Sequence, residues 1–341
     1  MKAAVLIKHE DPQQAFEIRE VETPTLLEDE VLIKVDAFGL NFADVMARQG
    51  LYQEAPPLPS ILGYDVVGIV DKVGNKENEH LIGKRVVSMT RFGGYAQFAK
   101  TKAAGISLIS DKMTNGEALA LATQYSTAYF MAYECVSVFE GDNILMHAAA
   151  GGVGTALTQL LKLKGSTVFG LTSSNEKLDY LKQNGVDYPI NHQKGDYTTI
   201  VKAQLKGNKL DVAFNSVGGS TFKKDMSLLQ KGGRILLYGA AERSGQGKGK
   251  LKTLKLAWNF GIFSPIQMLM HSQAIIGVNM LHISDQKPEV IKRCLDEVVK
   301  MTESGLLKPH VGGIFKANQI GDAHALLESR KSKGKIIVEW E

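Results

Sequence analysis

Ile144-Leu145-Met146-His147-Ala148-Ala149-Ala150-Gly151-Gly152-Val153-Gly154 decides the fold. Ile144 to His147 read as a buried strand, and from Gly151 to Leu163 apolar residues recur at helical spacing. Between them runs the pattern Ala148-x-x-Gly151-x-x-Gly154, a relative of the glycine fingerprint that joins strand to helix in dinucleotide-binding units. Small residues let backbone amides approach a pyrophosphate, whose charge then rests on the helix N-terminus. A turn that needs glycine only for its geometry is the plainer explanation, and the downstream sequence weighs against it.

Downstream, strand and helix signals alternate. Thr167 to Leu171 reads as strand, Glu176 to Gln183 as helix, Tyr188 to Ile190 as a short strand and Ile200 to Leu205 as a helix end. Leu210 to Phe214 reads as strand, Phe222 to Leu229 as helix and Arg234 to Tyr238 as strand. That alternation implies a parallel sheet with right-handed crossovers, a doubly wound α/β domain. Upstream, Val31 to Val35, Val66 to Val70 and Arg85 to Ser88 are short β-branched runs among turn residues, which predicts a compact, partly antiparallel, barrel-like unit. The last sixty or so residues mix a strand at Ala274 to Val278, a helix from Val290 to Met301 and a final strand from Lys335 to Glu339.

The second strand of the α/β domain names the dinucleotide. An acid about twenty residues past the glycines would bind a ribose 2′-hydroxyl. Here the strand runs out through Leu171-Thr172-Ser173-Ser174-Asn175, with no acid at the turn and Lys177 close behind. Hydroxyls and an ammonium attract a 2′-phosphate, so NADP(H) is favoured over NAD(H). The plainer roles of these residues are a helix cap and a solvated lysine.

Bulk properties narrow the class. The chain has 341 residues with 44% hydrophobic and 22% charged, enough for two domains with packed cores. Its net charge of +4 is no nucleic-acid footprint. The two cysteines, Cys135 and Cys294, cannot form a disulfide framework and suit a reducing compartment. The apolar run at Met1 to Lys8 is too short for a signal segment. No apolar stretch approaches the ~20 residues that span a bilayer, so a cytoplasmic protein without stable membrane insertion is expected.

Several stretches together resemble a known family: Gly39-Leu40-Asn41-Phe42-Ala43-Asp44, Gly50-Leu51-Tyr52, Leu62-Gly63-Tyr64-Asp65, the loop from His147 to Gly154, Asn215-Ser216-Val217-Gly218-Gly219 and Glu328-Ser329-Arg330. In this order they look like the zinc-free medium-chain dehydrogenase/reductases of the quinone oxidoreductase (zeta-crystallin) group. Gly39 to Tyr52 is especially similar to the vesicle amine transport protein branch. The resemblance implies a GroES-like catalytic domain, 1–123 and 284–341, split by a Rossmann NADP(H)-binding domain, 124–283. It also implies a homodimer joined at the strand from Ile275 to Asn279.

For the site, the resemblance implies that Asn41, Thr127 and the Val217–Gly218 turn flank the nicotinamide, with Ser216 and Gly239 also binding the cofactor. Ala150, Gly151, Gly152, Val153 and Gly154 cradle the pyrophosphate, and Ser173, Ser174, Lys177, His192 and Arg330 surround the 2′-phosphate. Tyr52 lines the cleft as a candidate proton donor, and Asn41 joins it as a catalytic candidate. Zinc-dependent relatives carry a cysteine at the Asn41 position and Gly-His-Glu at Gly63-Tyr64-Asp65, so no metal is expected. Without that Lewis acid, the expected chemistry is hydride delivery to a quinone, enone or enal. Two departures stand out: histidine at 192, where quinone reductases often have tyrosine, and Met46, where relatives can carry a second aromatic.

Other residues have plainer roles. Asp44 shares a helical face with Asn41 and is expected to cap or to pair with Arg48, and His147 is expected to be a structural hydrogen-bonder. The basic run Arg243, Lys248, Lys250, Lys252 and Lys255, followed by Trp258, Phe260 and Phe263, reads as a solvated loop with aromatics packed over the site. Its rival is a contact with an acidic lipid surface. Two alternatives to the reductase remain: a nucleotide-binding scaffold at a membrane or partner surface with vestigial turnover, and an enoyl-thioester reductase.

Overall fold

A computed structural model describes residues 1–241, 258–261 and 264–340. The basic residues from Arg243 to Lys255, and Phe263, lie outside the described residues. The chain forms two compact units, Met1–Thr127 with Met280–Glu341, and Ala128–Asn279. The boundaries expected from the sequence, at 124 and 283, lie four residues from these.

The first unit is built on strands β1 (Lys2–Leu6), β2 (Phe16–Glu20), β3 (Glu30–Leu40), β4 (Ser60–Ile61), β5 (Asp65–Val73), β6 (Arg85–Met89), β7 (Phe98–Lys102) and β8 (Ile106–Leu108). Three of them form a small antiparallel sheet, β2-β1-β4. The larger sheet runs β15-β16-β3-β5-β6-β8, with β7 also on β3, where β15 is Val311–Lys316 and β16 is Lys335–Glu339. Val31, Ile33, Phe38, Leu40, Val66 and Ile336 are buried in one apolar core, the expected result of β-branched and aromatic residues on a covered sheet face. β3 is far longer than the run Val31–Val35 suggested. Two register shifts against β5, between Leu32 and Ile33 and between Val35 and Ala37, break the simple alternation that marks a strand.

Where β16, β3 and β5 lie side by side, Gly39 faces Ile337 on one neighbour and Asp65 on the other. A Cβ on Gly39 would stand 2.7 Å from Lys335 Nζ and 2.8 Å from Asp65 Oδ2. The missing side chain therefore makes room for an ion pair between Lys335 and Asp65, both fully buried. Asn41 completes it: its Nδ2 donates to Asp65 Oδ2 at 2.6 Å, and its Oδ1 accepts from Lys335 Nζ at 3.1 Å. Thr123 donates its hydroxyl to the other carboxylate oxygen.

Asn41 also opens the helix Phe42–Arg48, and its backbone N–H donates to Asp44 Oδ2 at 2.8 Å. Asp44 is thus a cap, as expected of an acid in a first helical turn. Its other oxygen accepts from Gly63 N–H at 3.2 Å. The suggested Asp44–Arg48 pair does not form, because Arg48 turns to Glu328 and to the backbone oxygen of Glu10. Complete burial pushes the Asp44 carboxyl up to about 7, against the opposing pull of the Asn41 amide and with the nearby Asp65 charge adding to the rise.

The second unit holds a six-stranded parallel sheet of β9 (Asn143–Met146), β10 (Thr167–Thr172), β11 (Tyr188–Asn191), β12 (Leu210–Asn215), β13 (Leu229–Leu237) and β14 (Ala274–Gly277). Its order is β11-β10-β9-β12-β13-β14, which counted from β9 is 3-2-1-4-5-6, the doubly wound arrangement. The helix expected from Glu176 starts instead as a 3-10 turn, Asn175–Lys177, and becomes α-helical over Leu178–Gln183. Ser174 explains the tight start, since its hydroxyl oxygen accepts from the Glu176 N–H at 3.2 Å.

Two outcomes test this description. Lys335→Met should lower unfolding free energy by about 3–5 kcal/mol in urea titrations, because it strands a buried carboxylate; a loss below 1 kcal/mol would contradict the burial of the pair. Asp44 should give stability a negative pH slope. Its folded pKa lies above the ordinary carboxylate value, so between about pH 4 and 7 the folded state holds the extra proton, and stability falls as pH rises through that window. In Asp44→Asn this slope should disappear when urea midpoints are compared across it, whereas equal slopes in both proteins would refute the assignment.

Candidate functional site

The loop that decides the fold leaves β9 through His147 and enters the helix Gly152–Leu163. Ala148 takes a left-handed φ of 50°, a conformation that costs an L-residue roughly 1 kcal/mol. The turn closes by Gly151 N–H on Ala148 O at 2.9 Å, and Thr155 N–H on Gly151 O at 2.8 Å begins the helix. No side chain caps this helix, so its leading amides retain their capacity for an anion.

The two outer glycines differ. A Cβ on Gly154 would lie 2.5 Å from Ala148 O and 2.6 Å from Ala149 Cα, so this glycine serves the close packing of helix on strand. A Cβ on Gly151 would meet only Ala148 O, at 3.3 Å. The cradle above Gly151 is therefore open on the side away from its own loop.

The other second-unit candidates gather at the C-terminal ends of the same parallel strands, beside the crossover point between β9 and β12. Ser173 and Ser174 follow β10, the first exposed and the second half-buried, and Lys177 is buried in the turn behind them. Asn191 at the end of β11 donates to Asn175 Oδ1 at 2.8 Å, drawing the β10 and β11 ends together and setting His192 beside them. Ser216, Val217 and Gly218 follow β12, and Gly239 follows β13, where a Cβ would stand 2.7 Å from Ser216 O.

The remaining candidates belong to the first unit. Asn41 has both amide atoms committed to the ion pair described above. Thr127 is buried in the helical stretch that ends the first segment of this unit. Arg330 is exposed at a left-handed φ of 59°, just past the helix Ile320–Glu328. Tyr52 is half-buried, edge-on to Tyr64 with ring centroids 6.4 Å apart. Burial raises the Tyr52 hydroxyl pKa, and the Glu54 and Asp44 charges add to the rise against the Tyr64 hydroxyl contact and Arg91. Tyr52 is thus held in the protonated, proton-donating form at neutral pH.

A cluster that sequence reasoning missed lies under the Val217–Gly218 turn. His147 Nε2, Tyr197 hydroxyl and Asn215 Nδ2 all reach the buried Asp225 carboxylate, at 2.9, 2.7 and 2.5 Å. His147 is thereby the structural hydrogen-bonder expected. A signal for Asp225 did exist: with Phe222 and Leu228 it shares the buried stripe of the helix Gly219–Leu228, where an acid needs a partner.

Among the described residues no three His, Cys, Asp or Glu side chains converge as a metal-ligand group, and no helix is long and apolar enough to cross a membrane.

Comparisons with known proteins agree with the fold. A family model for the alcohol dehydrogenase GroES-like domain matches residues 27–128, and one for the zinc-binding dehydrogenases matches residues 152–296. The human synaptic vesicle membrane protein VAT-1 homolog is 32% identical over 311 residues, which is 91% of this chain and 78% of that one. Human quinone oxidoreductase is 26% identical over 340 residues, 99% and 97% of the two chains. The crystal structure of Escherichia coli quinone oxidoreductase complexed with NADPH is similar with a TM-score of 0.85, at 25% identity over 99% of this chain and 100% of that one. With a GroES-like unit and a parallel-sheet Rossmann unit matched in order, the chain belongs to the medium-chain dehydrogenase/reductase family of oxidoreductases, close to the VAT-1 homologs and the quinone oxidoreductases.

Proposed function

We propose that this chain is a metal-free, NADPH-dependent reductase of quinones or activated alkenes, acting in the cytosol as a homodimer paired through β14, which ends the parallel sheet. The observation that carries the proposal is the meeting of an uncapped helix N-terminus with a β10 end that offers Ser173 and Ser174 where an NAD site has its acid, with Lys177 in the turn that follows. The NADPH bound to the Escherichia coli relative supports the same cofactor.

When bound, NADPH supplies a hydride from its nicotinamide ring. The chain's residues do the rest. The amides from Ala150 to Gly154 would hold the pyrophosphate, and Ser173, Ser174, Lys177 and His192 would hold the 2′-phosphate through charge-assisted hydrogen bonds. Ser216, the Val217–Gly218 turn and Gly239 would orient the nicotinamide end, so that binding energy goes into alignment. Solvent or Tyr52 supplies the proton that balances hydride addition to the β-carbon of an enone or to a quinone ring. Asn41 is assigned a positioning role, since its amide is already engaged with Asp65 and Lys335.

One observation favours a cofactor-binding scaffold with little turnover. On the helix Pro265–His271, Ile266, Leu269 and Met270 are each more than 70% exposed, and exposed apolar groups of this kind mark contact surfaces. A turnover assay separates the two.

Direct titration should find NADPH bound about 10–100-fold more tightly than NADH, roughly 1.5–3 kcal/mol for bonds to a doubly charged phosphate. Lys177→Ala should weaken NADPH and leave NADH nearly unchanged; equal affinities in the unaltered protein would refute the 2′-phosphate assignment. With a panel of quinones, enones and enals, the protein should oxidise NADPH well above the blank, and a chelator should not slow it. Tyr52→Phe should lower kcat about 10²-fold if the hydroxyl is the proton donor. NADPH binding with no turnover on any acceptor would leave the scaffold.

A further inference from the structure

Asp225 is fully buried on the helix Gly219–Leu228, with no part in the contacts proposed above. Its partners come from three other places in the unit. Tyr197 begins the helix Tyr197–Leu205, Asn215 ends β12, and His147 follows β9 directly before the glycine loop. The His147 and Tyr197 rings pack edge-on, with centroids 5.6 Å apart at 86°. A carboxylate can only accept, so it forces each partner to present a donor.

For Asn215 that requirement sets the direction of the whole amide. With Nδ2 turned to Asp225 at 2.5 Å and to Thr221 Oγ1 at 2.8 Å, Oδ1 faces the opposite way. There it accepts from both Val217 N–H and Gly218 N–H at 2.9 Å. Gly218 sits at φ 100°, and Thr221 donates its hydroxyl to Gly218 O at 2.9 Å. Two amides of one turn thus converge on one side-chain oxygen, whose orientation is decided by a carboxylate behind it. On the β9 side, His147 donates its backbone N–H to Phe214 O at 3.0 Å, so the same carboxylate joins the root of the glycine loop to the end of β12.

We propose that Asp225 is a positioning residue of the cofactor site: through the Asn215 amide it sets the Val217–Gly218 turn against which the nicotinamide end is held. This rests on the assignment of that turn to the nicotinamide side in the proposed function. An asparagine at 225 keeps one acceptor oxygen where three donors converge, so the hold on the Asn215 amide, and through it on both backbone amides, is weakened.

The test compares two probes on folded protein by direct titration: NADPH, and adenosine 2′,5′-bisphosphate, which carries the 2′-phosphate but no nicotinamide. The unaltered protein should bind both. Asp225→Asn should weaken NADPH at least tenfold and shift the bisphosphate less than threefold. Asn215→Ala, which acts on the turn directly and leaves Asp225 its other two donors, should do the same and carries the test if Asp225→Asn does not fold. Because the two residues act in series, the double variant should lose no more NADPH affinity than Asn215→Ala alone. Parallel loss of both probes, no loss of either, or additive losses in the double variant would each overturn the positioning role while leaving the proposed function standing. If the unaltered protein bound neither probe, the proposed function would fall first, and the role of Asp225 with it.

Discussion

The first unit is organised around a charge that it cannot leave unpaired. Asp65 and Lys335 are both without solvent exposure, and two ions taken out of water are tolerated only when their remaining valences are filled. Asn41 and Thr123 fill them, and Gly39 supplies the space by having no side chain at all. From Asn41 the constraint passes along the chain. The same residue opens the helix Phe42–Arg48, which places Asp44 under Gly63 and carries the chain toward Tyr52. The motif from Gly39 to Tyr52 is, in physical terms, the wiring around one ion pair.

The second unit solves a similar problem without a lysine. Asp225 is equally buried, but three donors surround it: an imidazole, a phenol and an amide. The two units thus share a device. In each, an asparagine turns its Nδ2 to a buried carboxylate, and its oxygen is thereby committed elsewhere: to Lys335 in one case, to the Val217–Gly218 turn in the other. An amide is easily flipped when its partners can either donate or accept. A carboxylate removes that freedom, which is why a well-defined turn can rest on a single side chain.

What could be read from the sequence follows the range of the interactions concerned. The alternation from β9 to β13 is written in local periodicity, and the order of elements then leaves few topologies, so the doubly wound sheet was legible. The glycine loop was legible because strand, small residues and helix are contiguous. Other features depend on residues far apart in the chain. Arg48 lies four residues from Asp44 yet pairs with Glu328, since the buried face of its helix meets the C-terminal segment. The commitment of Asn41 to Asp65 and Lys335 was invisible for the same reason: one partner lies on β5 and the other on β16. The full length of β3 was hidden by bulges, which break the alternation by which a strand is recognised.

The order in which the chain is made gives the ion pair a further significance. β3 is covered along one edge by two strands, β7 over Glu30 to Lys34 and β16 over Ala37 to Leu40. β7 follows within the same early segment, but β16 comes only after the whole second unit has been synthesised. At the usual pace of translation, about 5–20 residues per second, Asp65 waits roughly 14 to 54 seconds for Lys335. During that interval the far half of β3 presents an open strand edge, and the carboxylate beneath Gly39 has no cation. The nascent first unit is therefore held short of its final packing until β16 emerges, and its vulnerability to misassembly is concentrated at one edge and in one stretch of time.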